Sequence, residues 1–250
     1  MASNSRSIAV GARRVCSLVL GITPVLAFIL ALVLLLPLVA EAHGIAGKDA
    51  EFVAQNRGVQ VFPFLYLGAK HMVTGYDHLL FILGVIFFLY RLSHVALYVT
   101  LFSIGHSITL LSGVLGGLHV NPYLVDAVIG FSVVYKALDN LGAFKTLFGV
   151  EPNAKLAVLI FGLVHGFGLA TKLQDLNPSK EGLVANMVSF NVGVEVGQLI
   201  ALTLMLLVIL SWRKSAGFVR HAALANALIM MAGFVLVEYQ LAGYFLARGE

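Results

Sequence analysis

MVTGYDHLLFILGVIFFLY, residues 72–90, is the stretch whose reading decides the fold. Apart from Asp77 and His78 it is apolar or neutral, and its length falls within the roughly 17–25 residues that a helix needs to cross a bilayer. A carboxylate and an imidazole stand where lipid or apolar packing is expected. Ionisable groups inside a membrane segment cost about 2.5–3.5 kcal/mol each on insertion scales, so by default they mark a functional site. The pattern recurs downstream, with His106 in the apolar run 97–115, His165 in 156–170 and Glu195 in 187–210. Four apolar segments that each carry such a group point to one shared site.

Composition agrees. The 250 residues are 60% hydrophobic and 11% charged, with a mean hydropathy of +0.95. Soluble domains carry about 25% charged residues, which excludes that class. The alternating segments of a membrane β-barrel are missing from the sequence. The expected fold is all-α: a polytopic transmembrane helical bundle of about six spans after an N-terminal signal peptide, or seven if that segment is retained. The formal charge of +4 comes from basic residues that flank helices, so the expected surroundings are a lipid bilayer and no nucleic acid. The single cysteine, Cys16, precedes the expected mature chain, which removes disulfide and thiolate-metal chemistry.

Residues 1–14 carry Arg6, Arg13 and Arg14, residues 15–39 are apolar, and Ala40-Glu41-Ala42 follows. A basic start, an apolar core and a small-x-small site are the parts of a signal peptide. Residues 1–42 are therefore read as a signal peptide or a first transmembrane helix, and 43–250 as one helical domain. Cleavage after Ala42 would leave His43 at the new N-terminus, with an imidazole and a free amine side by side. The cationic start stays in the cytoplasm, which puts the N-terminus of the mature chain outside. Residues 60–70, short and interrupted by Pro63, read as an interfacial segment. Spans are expected near 72–90, 95–115, 122–140, 155–171, 186–210 and 222–246. Arg91, Lys136, Lys145, Lys155, Arg213, Lys214 and Arg220 then fall in cytoplasmic loops, against Lys172 and Lys180 outside.

On a helix that advances 100° per residue, Asn191, Glu195 and Gln198 share an arc of about 60°, a polar stripe on an apolar helix. Gly193 and Gly197 frame Glu195, and Gly162 and Gly166 frame His165, at spacings that let a neighbouring backbone approach. His71 and His78 share a face but lie roughly 10.5 Å apart along a straight helix, too far to bind one ion. The expected metal-binding groups are Asp77, His78, His106, His165 and Glu195, with His71 at the external mouth. His43, Ser107, Thr109, Asp126, Asn191, Gln198 and Glu238 are expected around the site or along the path to it. The plain alternative is structural: Asp77, His106 and His165 as interhelical hydrogen-bonding groups, Asn191 and Gln198 as packing amides, and Asp126 at an aqueous interface. Imidazole with carboxylate suits borderline divalent ions such as nickel, zinc or copper.

At these residues the chain resembles the HupE/UreJ family of bacterial membrane proteins. The carriers of the resemblance are His71 with Asp77-His78 five residues on, Gly105-His106-Ser107 with Thr109, Phe161 to Gly168 around His165, and Phe190-Asn191 to Gln198 around Glu195. The resemblance implies a permease of the bacterial inner (cytoplasmic) membrane with nickel as the foremost substrate, and a link to metalloenzyme maturation. The nickel-associated branch has a second histidine and a glutamate beside His165, where this chain has Phe161 and Gly168. Two further readings stand beside it. An intramembrane zinc-dependent hydrolase of a lipid-like amide or ester would use three histidines and a carboxylate to hold zinc with a water position open. A metal-sensing or assembly factor for another membrane complex is the other.

Overall fold

The computed structural model describes residues 47–248. The leader expected at 1–42, and His43, lie outside the described residues. Among those described, all regular structure is helical. Short α1 (Lys48–Gln55) leads to α2 (Val61–Thr74) and, across Gly75, to α3 (Tyr76–Ile86). Then follow α4 (Leu92–Gly116), α5 (Pro122–Asn140), short α6 (Ala143–Phe148), α7 (Ala154–Asp175), α8 (Leu183–Arg213) and α9 (Gly217–Arg248). Helices α4, α7, α8 and α9 are each long and apolar enough to cross a membrane. The protein is a helical membrane bundle.

Local sequence sets the helix ends. The Asn121 side chain accepts from the Leu124 amide at 3.3 Å, and Pro122 fills the first position of α5, where its missing N–H costs nothing. Asn153 caps α7 in the same way through the amides of Lys155 and Leu156. Pro63 also lies in the first turn of its helix, so it does not interrupt α2. Residues 60–70 therefore do not form the interfacial segment expected from the sequence; most of them belong to α2, which packs along α8.

Six of the helices pack as three close pairs, and glycine sets the approach in each. Helices α2 and α8 run parallel, with Gly68 against the Phe190 backbone, Gly193 against Leu65 and Gly197 against Ala69. Helices α4 and α7 are likewise parallel, with Gly105 against Leu159, Gly162 against Phe102 and Gly166 against His106. A methyl group at any of these positions would collide with a carbonyl of the neighbouring helix. Helices α5 and α9 are antiparallel, from Tyr123 beside Gly243 to Asn140, whose amide donates to Asn226 at 2.8 Å. Lipid tails are as apolar as leucine, so close van der Waals packing replaces the hydrophobic effect in driving such pairs together.

Helix α3 is different. It has only 11 residues, eight of them buried, and it packs against α2, α4, α5, α8 and α9. Its C-terminal carbonyls need partners in an apolar interior. Arg213, at the end of α8, donates to the carbonyls of Ile86 and Phe87 at 2.5 Å and of Leu89 at 2.9 Å. Asn140 donates to the Gly84 carbonyl at 2.8 Å. The run 72–90 is therefore not one straight helix, and the chain breaks at Gly75, with φ −75° and ψ 100°.

Because a Cβ at Gly193 falls on the Leu65 carbonyl while one at Gly116 meets nothing nearer than 3.7 Å, two single-methyl variants separate packing from propensity. Gly193→Ala is expected to destabilise the bundle by about 1–3 kcal/mol through overpacking, and Gly116→Ala to leave it unchanged. Thermal denaturation in detergent, followed by the loss of the monodisperse chromatographic peak, checks this. Equal midpoints for the two variants would show that α2 and α8 are not held at backbone contact.

Candidate metal centre

Asp77 and His78 occupy the first turn of α3, where a carboxylate is favoured by the helix dipole. The Asp77 Oδ1 atom accepts from the His78 backbone N–H and lies 2.9 Å from the His78 ring Nδ1. With Nδ1–H donated to the carboxylate, the His78 Nε2 lone pair faces inward. Its Nε2 has no hydrogen-bond partner among the described residues. This is the carboxylate–histidine arrangement that orients imidazoles towards metal ions.

His165 on α7 is set by another group. Ser132 on α5 donates its single hydroxyl proton to the Ile129 carbonyl at 2.6 Å. Its oxygen therefore accepts from His165 Nε2–H, 3.1 Å away, and the His165 Nδ1 lone pair is left without a partner among the described residues. The rings of His78 and His165 are 4.8 Å apart. Asp77, His78 and His165, all buried, each offer a donor atom within 4.8 Å of the others. Buried polar atoms without partners are rare and call for an explanation. Two imidazole lone pairs beside a carboxylate in an apolar bundle fit a divalent transition metal ion.

Two further imidazoles flank the trio. The His71 ring is 5.1 Å from that of His78, and the His106 ring is 5.8 Å from it. The straight-helix separation expected for His71 does not hold, because the helix breaks at Gly75 between the two histidines. A Cβ at Gly75 would stand 2.9 Å from His78 Nδ1 and 3.0 Å from the His71 carbonyl, so glycine is needed where the two helices meet. His71 lines the same cavity as Asp77, His78, Asp126, Ile129, His165, Leu169 and Lys172. In that wall Lys172 Nζ is 2.6 Å from Asp126 Oδ2.

One turn further along the helices an aromatic layer closes over the histidines. Phe81 lies 5.4 Å from Phe102 and 5.7 Å from Phe161, and Tyr135 lies 5.2 Å from Phe161. Phe102 also stands edge-on to His165 at 5.0 Å and stacks on His106 at 6.2 Å.

Other expected residues are placed elsewhere. Glu195 is exposed on the outer face of α8 and Glu238 on that of α9, so neither joins the cluster. The 60° stripe was real but divided: Asn191 donates to Ser107 at 2.8 Å, and Gln198 accepts from Ser103 at 2.6 Å. Those bonds tie α8 to α4, and they leave Glu195 turned outward. Thr109 donates to the Leu163 carbonyl at 2.7 Å and joins α4 to α7. Asp126 does face the cavity.

Sequence reasoning missed Ser132 and placed Lys172 in an external loop. Helix α7 runs on to Asp175, one turn past its expected end, which brings Lys172 onto the cavity. The i, i+4, i+7 spacing of His165, Leu169 and Lys172 was the available signal. Ser132 follows Asp126 and Ile129 at steps of three, a weaker cue.

If Ser132 fixes the tautomer of His165, Ser132→Ala should weaken binding of Ni²⁺ to the purified protein by roughly ten- to a hundredfold. Competition with a chelating dye measures this. An unchanged affinity would mean that His165 needs no such partner.

Comparison with known proteins adds one finding. A family profile described as HupE / UreJ protein matches residues 47–248. No curated protein and no solved structure matches the chain. With the match covering all the described residues, the chain belongs to the HupE/UreJ protein family.

Proposed function

We propose that the protein is a permease of the bacterial inner membrane that moves a divalent transition metal ion, with nickel the foremost substrate. The observation that carries this reading is the convergence of Asp77, His78 and His165 inside a membrane bundle. The family's association with nickel and cobalt transport supports it. In this reading residues 1–42 are a leader and residues 43–250 form one transmembrane domain. The mature N-terminus is outside, and the ion is handed on to a metalloenzyme maturation system.

The ion reaches the cavity from the Lys172 end, sheds water and takes the lone pairs of His78 and His165 beside Asp77. His71 and His106 stand close enough to exchange places with them as ligands while the ion moves. The aromatic layer of Phe81, Phe102, Phe161 and Tyr135 bars the way inward, so release requires these rings to part. Zinc and copper meet the same donor set, and the order of affinity among divalent ions favours copper over nickel, so supply also decides which ion is carried. A zinc-dependent hydrolase would draw on the same three residues. The cavity has about 10 Å³ of room for the centre of a water-sized sphere, far below the roughly 300–1,000 Å³ typical of sites for drug-sized ligands. That size suits an ion better than a lipid.

Elemental analysis of the purified protein after loading with Ni²⁺, beside Asp77→Asn and His165→Ala, tests the site. About one ion per chain is expected for the wild type, and a loss of at least tenfold in affinity for each variant. Cellular uptake of Ni²⁺ and Co²⁺ should fall in parallel. Metal bound equally by all three proteins would place the site elsewhere, and uptake indifferent to both variants would sink transport.

A further inference from the structure

Among the described residues, Lys172 is the cation that lines the cavity, and its position raises a question that the metal site alone does not answer. Its ammonium sits 2.6 Å from Asp126, a carboxylate only 5% exposed, while the lysine side chain is 21% exposed. An ion pair of this kind is weak evidence for stability, since well-packed apolar residues of similar size often serve as well. Here the pair stands in the same wall as His71, Asp77, His78 and His165. It lies two helical turns beyond His165 on α7, towards the helix end at Asp175.

We propose that Lys172 is a tethered competitor for the substrate: its ammonium occupies Asp126 at the mouth of the cavity, and a divalent cation must displace it to reach the histidines. This inference rests on the metal-site reading above and adds to it a second cation position, Asp126, and a coupling between entry of a doubly charged ion and movement of Lys172.

The charges decide the coupling. With neutral imidazoles, the cavity wall holds two carboxylates, Asp77 and Asp126, and one ammonium, a net charge of −1. A divalent ion added with Lys172 in place makes the total +1. The same ion with Lys172 withdrawn makes it zero. In an apolar bundle a net charge without compensation is strongly disfavoured, so arrival of the ion and departure of the ammonium go together. A monovalent ion brings the wall to zero with Lys172 still seated, and nothing is displaced.

The displaced ammonium has a landing place. Asp175 lies three residues further along α7, at the spacing where helix side chains meet. Its carboxylate is 49% exposed and already holds His119 Nε2 at 2.7 Å. A lysine has the flexible four-carbon stem that lets its head move towards water while its base stays on the helix. Lysine also suits the role better than arginine, whose forked guanidinium would hold Asp126 through two bonds.

Amine-reactive labelling of the purified full-length protein, with and without saturating Ni²⁺, reads the displacement directly. Labelling of Lys172, mapped by mass spectrometry, should rise severalfold with Ni²⁺, while that of exposed Lys180 stays constant. In Asp77→Asn the rise should vanish. Lys172→Met should bind Ni²⁺ about tenfold more tightly, because one like charge is gone from the cavity. Lys172→Gln should show the same gain and serves if the methionine variant does not insert. Lys172 labelling that ignores Ni²⁺, in a protein that binds it, would overturn this inference and leave the metal site standing. Unaltered affinity in both neutral variants would do the same. Failure of the wild type to bind Ni²⁺ at all would overturn both.

Discussion

An apolar bundle that buries Asp77 and the imidazoles of His78, His106 and His165 carries the desolvation cost of their polar atoms, and the short helix α3 is where that cost shapes the chain. Its first turn carries Asp77 and His78, and its far end exposes carbonyls that only another part of the chain can satisfy. Arg213 and Asn140 reach those carbonyls from α8 and α5. Satisfied at one end by side chains and at the other by the Asp77 carboxylate, an 11-residue helix can sit among five others without touching water along most of its length. Its separation from α2 has a geometric consequence: a helix running straight through from α2 would hold His71 far from His78. The break at Gly75 draws the two rings to 5.1 Å.

The three glycine-packed pairs make the surrounding wall stiff. Where two backbones touch, as at Gly166 on His106 or Gly68 on Phe190, no side chain lies between them to yield. That rigidity fixes the relative positions of His106 and His165, since the α4–α7 contact runs through the residues beside both.

Much of this was legible in the sequence. The apolar runs located the long helices within a few residues, the glycines at GxxxG spacing named the packed faces, and Asp77, His78 and His165 stood out as ionisable groups in apolar surroundings. What failed rests on particular residues. Gly75 between Thr74 and Tyr76 is a single glycine in an apolar run, and helical arithmetic runs through it unless the crowding of His71 and His78 is known. Glu195 shares an arc with Asn191 and Gln198, but an arc does not say which neighbour each residue faces. Ser103 and Ser107 take the two amides, and Glu195, at the edge of the arc beside the exposed Val192 and Leu199, falls on the outer face. Ser132 carries only the weak signal of its helical spacing from Asp126 and Ile129, because its importance lies in the histidine on another helix.

In the proposed transport the two ends of the ion's path differ in kind. At the Lys172 end the barrier is an ion pair, which a cation can replace by offering charge. At the other end it is a layer of phenylalanine and tyrosine rings, which offers an ion nothing in exchange for its ligands. On that proposal a divalent ion has a favourable route as far as His78 and His165 and no further while the rings are closed. Passage inward has to be won by a second arrangement of the bundle in which the rings part and the imidazoles hold the ion less well. A ligand can shift such an equilibrium only by its differential affinity for the two arrangements. On the same proposal His71, in the cavity wall, and His106, whose ring lies 5.8 Å from that of His78 and stacks on Phe102, supply a means: they permit more than one ligand set, and the set that includes His106 lies nearer the aromatic layer than the set that includes His71.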